Sequence, residues 1–130
     1  LSYKQKWWLF STNASNFNDD NNLYLFHSEA LIGPYVPHPQ NPIKRGLRGS
    51  RMAGAIILQT DGRLIRPSQN GSSRYGGSIV LHEIVELSED KYSEREIEEI
   101  VARESWQFSE GCHTINNAGG ITVIDGLRLI

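Results

Sequence analysis

Short β-prone runs separated by turn residues recur along this chain and confine it to an antiparallel sheet architecture. The runs cover residues 7–11, 23–28, 52–59, 63–67, 78–87 and 113–116, with two further arms flanking Asp125-Gly126. Branched and aromatic side chains fill them, and Gly, Pro, Asn and Asp interrupt them. Asp61-Gly62 marks a hairpin turn between the strand-like segment after Arg48 and the segment that ends at Gln69. Arg51 and Gln69 sit on these strands beside Ala53, Gly54 and Ala55, small residues of the kind that let a backbone and a ligand approach closely.

Three connections have their own character. Residues 12–22 carry five asparagines and two aspartates, whose side chains mimic turn backbone. Residues 33–42 hold four prolines, which deny ladder donation and predict an extended surface linker between sheet units. Residues 93–103 predict the one helix. Ile97, Ile100 and Val101 fall at i, i+3 and i+4, and Ser93-Glu94-Arg95-Glu96 reads as a capping box.

At 130 residues, 38% hydrophobic and 22% charged, the composition is that of one ordinary soluble domain. A net charge of −2 gives no global attraction to nucleic acid, and no apolar run is long enough for a membrane span. The basic cluster 44–48 is offset by the acidic run 86–99. One cysteine, Cys112, rules out an internal disulfide and any multi-thiolate metal site, weakly favouring a cytoplasmic setting. His27, His38 and His82 show no metal-ligand spacing and read as structural or exposed. No metal and no cofactor is expected. Phosphate-loop, serine-elbow and zincin motifs are absent from the sequence.

Sequential hairpins at this spacing suit a radial stack of small sheets, with a β-sandwich as the simpler alternative. Read as blades of a partial β-propeller, residues 1–42 form an incomplete sheet and 48–92 a nearly complete one. Residues 93–104 form a connecting helix and 111–130 an incomplete last sheet. That is about two and a half blades of the roughly four to eight in a closed ring, so the chain reads as a piece of a longer protein. Its open blade edges predict a homo-oligomer.

Specific residues carry a family resemblance. Leu23-Tyr24-Leu25-Phe26-His27-Ser28, Leu31-Ile32-Gly33-Pro34-Tyr35 and His38-Pro39-Gln40-Asn41-Pro42 resemble a blade of the five-bladed propellers related to glycoside hydrolase families 32, 43, 62 and 68. Ser50-Arg51-Met52-Ala53-Gly54, Asp61 to Gln69, Arg74-Tyr75-Gly76-Gly77, Gly111-Cys112-His113-Thr114 and Ile124-Asp125-Gly126 are similar to the propeller module of plant glucosamine inositolphosphorylceramide transferases. Similar bacterial modules accompany formyltransferase-like domains. The resemblance implies the last blades of such a propeller. In the hydrolase relatives three carboxylates ring the axis, mostly from earlier blades, so no catalytic set is assigned here.

Arg51, at the start of an implied innermost strand, offers a guanidinium fork for hydroxyl pairs, carboxylate or phosphate; an interblade tie is the alternative. His113 resembles an innermost last-blade histidine, with a backbone-satisfied imidazole equally open. Gln69, Arg74 and Tyr75 surround the turn 70–73, a planar amide, a cation and an aromatic suited to a sugar face or to plain turn packing. Glu83, inside the apolar strand 79–87, is the candidate acid, and a salt bridge explains it equally well. The leading expectation is a carbohydrate-binding, glycosyl-hydrolase-like module of a protein that makes or modifies a glycoconjugate. A glycoside hydrolase with its carboxylates upstream, or a structural propeller tied by its arginines, are the alternatives.

Overall fold

The computed structural model describes residues 1–12 and 22–128, so most of the asparagine-rich connection and the last two residues lie outside the described residues. Every regular element described is a strand: β1 (Ser2–Tyr3), β2 (Lys6–Thr12), β3 (Asn22–Ser28), β4 (Val36–Pro37), β5 (Lys44–Arg45), β6 (Arg48–Met52), β7 (Ile57–Leu58), β8 (Leu64–Asn70), β9 (Ser78–Leu87), β10 (Tyr92–Val101), β11 (Ile115–Ala118) and β12 (Ile121–Ile124). They form three antiparallel sheets. The first runs β1-β2-β3-β4 with β5 also on β3, the second runs β10-β9-β8-β6 with β7 on β8, and the third is the hairpin β11-β12.

Strand alternation gives the second sheet two buried faces. Leu64 and Ile84 on one face join Trp8, Leu25, Leu87 and Tyr92 in the core shared with the first sheet. Ile79 on the other packs with Ala53, Cys112 and Ile115 in the core shared with the third. Each large apolar side chain in these cores contributes about 1.5–3 kcal/mol through burial. The second sheet is thus the middle layer of a three-sheet stack.

The proline-rich segment 33–42 does more than link. Asn41 takes the place of a strand partner for Leu25: its Oδ1 accepts from the Leu25 N–H at 2.8 Å and its Nδ2 donates to the Leu25 carbonyl at 2.7 Å. Gln40 Oε1 accepts from the Tyr92 N–H at 2.7 Å, and His38, 2% exposed, lies 3.2 Å from the Ser88 carbonyl. These bonds clamp the first sheet to the β9–β10 turn.

The helix predicted over 93–103 is absent. Residues 93–101 lie in β10, paired with β9 from Tyr92↔Leu87 to Val101↔Ser78, with irregularities between Ser93 and Glu94 and between Glu96 and Glu98. The apolar stripe that suggested a helix is not a buried face, since Ile97 is 43% and Val101 55% exposed. Ion pairs to distant strands decide the outcome. Glu94 is held by Arg66 of β8 and Lys44 of β5, and Glu96 and Glu99 are held by Arg48 of β6. The basic cluster and the acidic run therefore neutralise one another by direct contact.

Two strand boundaries also differ from expectation. The run 52–59 breaks into β6 and β7, because the Ala53 N–H still donates to the Pro67 carbonyl at 3.0 Å while the Ala53 carbonyl turns to the third sheet and accepts from the Ile115 N–H at 2.7 Å. The last hairpin turns at Gly119-Gly120 rather than at Asp125-Gly126, with Ile115↔Ile124 to Ala118↔Ile121 in register.

Glu94 is the centre of the buried polar network. Arg66 donates to its two carboxylate oxygens at 2.6 and 2.7 Å and to the Gly49 carbonyl at 2.8 Å; Lys44 donates at 2.6 Å, and the Tyr92 hydroxyl also donates to the carboxylate. Burial alone would raise the Glu94 carboxyl, but hydrogen bonds and charge from Arg66, with Lys44 and Tyr92, outweigh it and hold the carboxyl down at about 2. His82, 1% exposed, is pushed down to about 4 by burial, with Arg66 and Lys44 adding to the effect and Glu94 opposing it. Its Nε2 meets the Ser68 hydroxyl at 2.9 Å.

Removing one partner of a buried ion pair leaves a charge without its counterion. Glu94→Gln is expected to cost about 3–5 kcal/mol at neutral pH, read as a lowered urea midpoint. Because His82 and Glu94 both sit below their ordinary values, the unfolded chain binds protons that the folded one refuses. Stability is therefore complete above the ordinary histidine value of 6.5 and falls as the pH drops, through His82 down to about 4 and through Glu94 from 4.5 to about 2. The lower part of that decline is expected to flatten in Glu94→Gln.

Candidate functional site

β6 is the edge strand of the second sheet, and it buries Gly49 and Ser50 while leaving Arg51 exposed. The β8–β9 connection brings Tyr75 to the same place. Asn70 Oδ1 shapes that turn by accepting from the Ser72 N–H at 3.1 Å and the Ser72 hydroxyl at 2.6 Å, and Gly77 N–H closes it on the Arg74 carbonyl at 3.2 Å. The Arg51 guanidinium lies 5.3 Å from the centroid of the Tyr75 ring, and the His113 imidazole meets the same ring edge-on at 5.4 Å.

The third sheet supplies His113, and two close backbone approaches dock it. A Cβ at Gly54 would overlap the Ile115 carbonyl oxygen, and one at Gly111 would overlap the Gly76 carbonyl oxygen. Only glycine fits either position. Asn116 Oδ1 adds a bond from the Ala55 N–H at 3.1 Å. Ala53 and Gly54, beside Arg51, thus serve contact between sheets.

Asp125 orients His113. Its Oδ1 accepts from the His113 and Thr114 N–H groups, each at 2.8 Å, and its Oδ2 pairs with His113 Nδ1. Burial would raise the Asp125 carboxyl, but these backbone bonds and the His113 charge outweigh it and hold it below the ordinary value. With Nδ1 engaged, His113 Nε2 has no protein partner among the described residues. Arg74 is half exposed and lies 3.7 Å from Glu110. Arg51 has no carboxylate partner among the described residues, and Tyr75 is 64% exposed.

Arg51, Arg74, Tyr75 and His113 therefore share one exposed patch, and two residues proposed with them do not. Gln69 is 8% exposed and its amide donates to the Met52 carbonyl at 3.1 Å, bracing the strand that carries Arg51. Glu83 is taken by Arg95 at 2.7 Å and pairs in register with Ile65, at the far end of the sheet from Tyr75. Asp125 and Glu110 escaped sequence reading as site residues; an Asp-Gly pair directly after a strand is the signal that points to the former. Among the described residues no group of three His, Cys, Asp or Glu side chains could hold a metal ion, and no helix is long and apolar enough to cross a membrane. The patch offers an aromatic face, an uncompensated guanidinium and a fixed imidazole nitrogen, equipment for holding a polar ring that carries hydroxyl or anionic groups.

The family model described as the N-terminal region of glucosamine inositolphosphorylceramide transferase 1 matches residues 1–118. Glucosamine inositolphosphorylceramide transferase 1 of Oryza sativa subsp. japonica is 29% identical over 142 residues, covering 99% of this chain and 19% of that protein. The Arabidopsis thaliana protein of the same name is 34% identical over 95 residues, covering 70% of this chain and 12% of that protein. The chain thus spans about a fifth of the length of the rice relatives. No solved structure matches it.

Asp125→Ala removes the acceptor of two backbone donors and is expected to cost about 1–3 kcal/mol in denaturant melting. Gly54→Ala is expected to cost more, since backbone must move, and to undock β11–β12. Amide exchange in 111–125 would accelerate while exchange in β2–β3 stays slow.

Proposed function

Because the chain belongs to the family of N-terminal regions of glucosamine inositolphosphorylceramide transferase 1, we propose that it is a carbohydrate-recognition module of a longer protein that makes or modifies a glycoconjugate. The observation that carries this reading is the Tyr75 ring flanked by Arg51 and His113 on an exposed surface. An aromatic ring suits the C–H face of a sugar or cyclitol, and a guanidinium without a carboxylate partner suits a phosphate or hydroxyl pair on it. The polar head named in the relatives, an inositol bearing a phosphoryl group, combines both features.

In this reading the three stacked sheets are consecutive blades of a propeller, and the patch lies where the edge strand β6 faces the following blade. The module binds and presents, while transfer chemistry belongs to another part of the protein. The carboxylates of this chain at the patch are already engaged, Asp125 by His113 and two backbone donors and Glu110 by Arg74, so a hydrolytic pair would have to come from another part of the protein. Hydrolysis by either common route needs two available carboxyl groups about 5–10 Å apart.

The test is calorimetric titration of the full-length protein with inositol 1-phosphate and with a glycan panel, using wild type, Arg51→Ala and Tyr75→Ala. Binding is expected to weaken at least tenfold in both variants while their melting temperatures stay at the wild-type value, because both side chains are exposed. Binding unchanged by either substitution, or a variant that loses stability instead, overturns the proposal in favour of a structural tie.

A further inference from the structure

A second groove lies at the opposite end of the middle sheet. It encloses about 440 Å³ between the β1–β2 turn, the Asp61-Gly62 turn and the last residues of β9. The patch at Tyr75 follows the end of β8, whereas this groove begins at its first residue, Leu64, so about 20 Å of strand separates them. No part of the proposed function uses it.

Its lining is amphipathic. Leu64 and Ile84, 3% and 7% exposed, form an apolar floor, and Tyr3 contributes an aromatic wall with the Lys4 ammonium 5.2 Å from its ring centroid. The rim is charged yet balanced. Asp61 is held by Arg63 through bonds of 2.7 and 3.1 Å, and Glu83 is held by Arg95 at 2.7 and 3.1 Å. Glu86 and Lys4 have no ion-pair partner among the described residues and supply one charge of each sign. Fixed carboxylates accept hydroxyl protons, the ammonium donates, and their sum attracts neither anions nor cations.

We propose that this groove is a second binding site, for a neutral sugar ring. The ring's C–H face would lie on Tyr3 and the apolar floor, with its hydroxyls donating to Asp61 and Glu86 and accepting from Lys4. This site is independent of the Arg51 patch, and the two differ in charge: the patch has an unpaired guanidinium and the groove is balanced. A glycan long enough to reach both, or two separate glycans, would satisfy them.

Saturation-transfer NMR on the full-length protein with methyl β-D-glucopyranoside and with cellobiose separates the two sites. Transfer to the sugar ring protons is expected in wild type and in Arg51→Ala, with a loss of fivefold or more in the double variant Asp61→Ala/Glu86→Ala. Asp61→Ala also removes the bonds to Arg63, so Glu86→Arg serves as the control for folding: Glu86 is exposed, the substitution crowds the groove from its rim, and it should give the same loss with melting unchanged. The inference is overturned if wild type shows no transfer, if the double variant retains it, or if Arg51→Ala alone abolishes it. The last result would place the sugar at the first patch and leave the proposed function standing.

Discussion

The ion pair between Arg66 and Glu94 is the contact on which the rest of this structure depends. It lies between the first and second sheets, where an unpaired charge of either sign would be costly. Around it gather Lys44, Tyr92, His82 and the Gly49 carbonyl, so groups from β5, β8, β9 and β10 meet at the carboxylate and β6 supplies an acceptor to the Arg66 guanidinium. Four donors surround Glu94, and this full satisfaction makes the buried charge tolerable. The same pairing holds β10 in the sheet as a strand.

Most of the carboxylates at the sheets are committed to structure. Glu94, Glu96, Glu99 and Glu83 are all matched to basic partners, and Asp125 is spent on orienting His113. Arg51 is the contrasting case, a guanidinium resting on an aromatic ring with no carboxylate beside it among the described residues. A guanidinium on an exposed ring is only weakly held, by roughly 0.5–1 kcal/mol, and can turn to a ligand at little cost. Groups that stabilise the fold are thereby separated from Arg51, which has no carboxylate partner among the described residues. Assembly of the patch depends on backbone contacts at Gly54 and Gly111, which bring His113 against the Tyr75 turn.

Much of the architecture was legible in the residues. The all-β antiparallel class, the hairpin at Asp61-Gly62 and the strand over Ser78–Leu87 follow from short β-prone runs and the turn residues between them. Arg51 and His113 on strand-like runs and Arg74 and Tyr75 at the 70–73 turn also stood out as candidates, and the structure gathers them in one place. The error over 93–103 has a clear origin. Local spacing of Ile97, Ile100 and Val101 satisfies a helix, while Glu94, Glu96 and Glu99 around them find cations some thirty to fifty residues away. Gln69 failed as a site residue for a related reason: its neighbours on β6 bury it, and no local pattern records that.

By itself the sequence determined the secondary-structure class, most hairpins and the chemistry available at the surface, because alternation and turn preference act over a few residues. Tertiary structure alone decided which charges are buried together, which glycines are contact points, and that Asp125 aims His113. Those outcomes rest on long-range pairing and desolvation, whose energies exist only once distant strands are brought into contact.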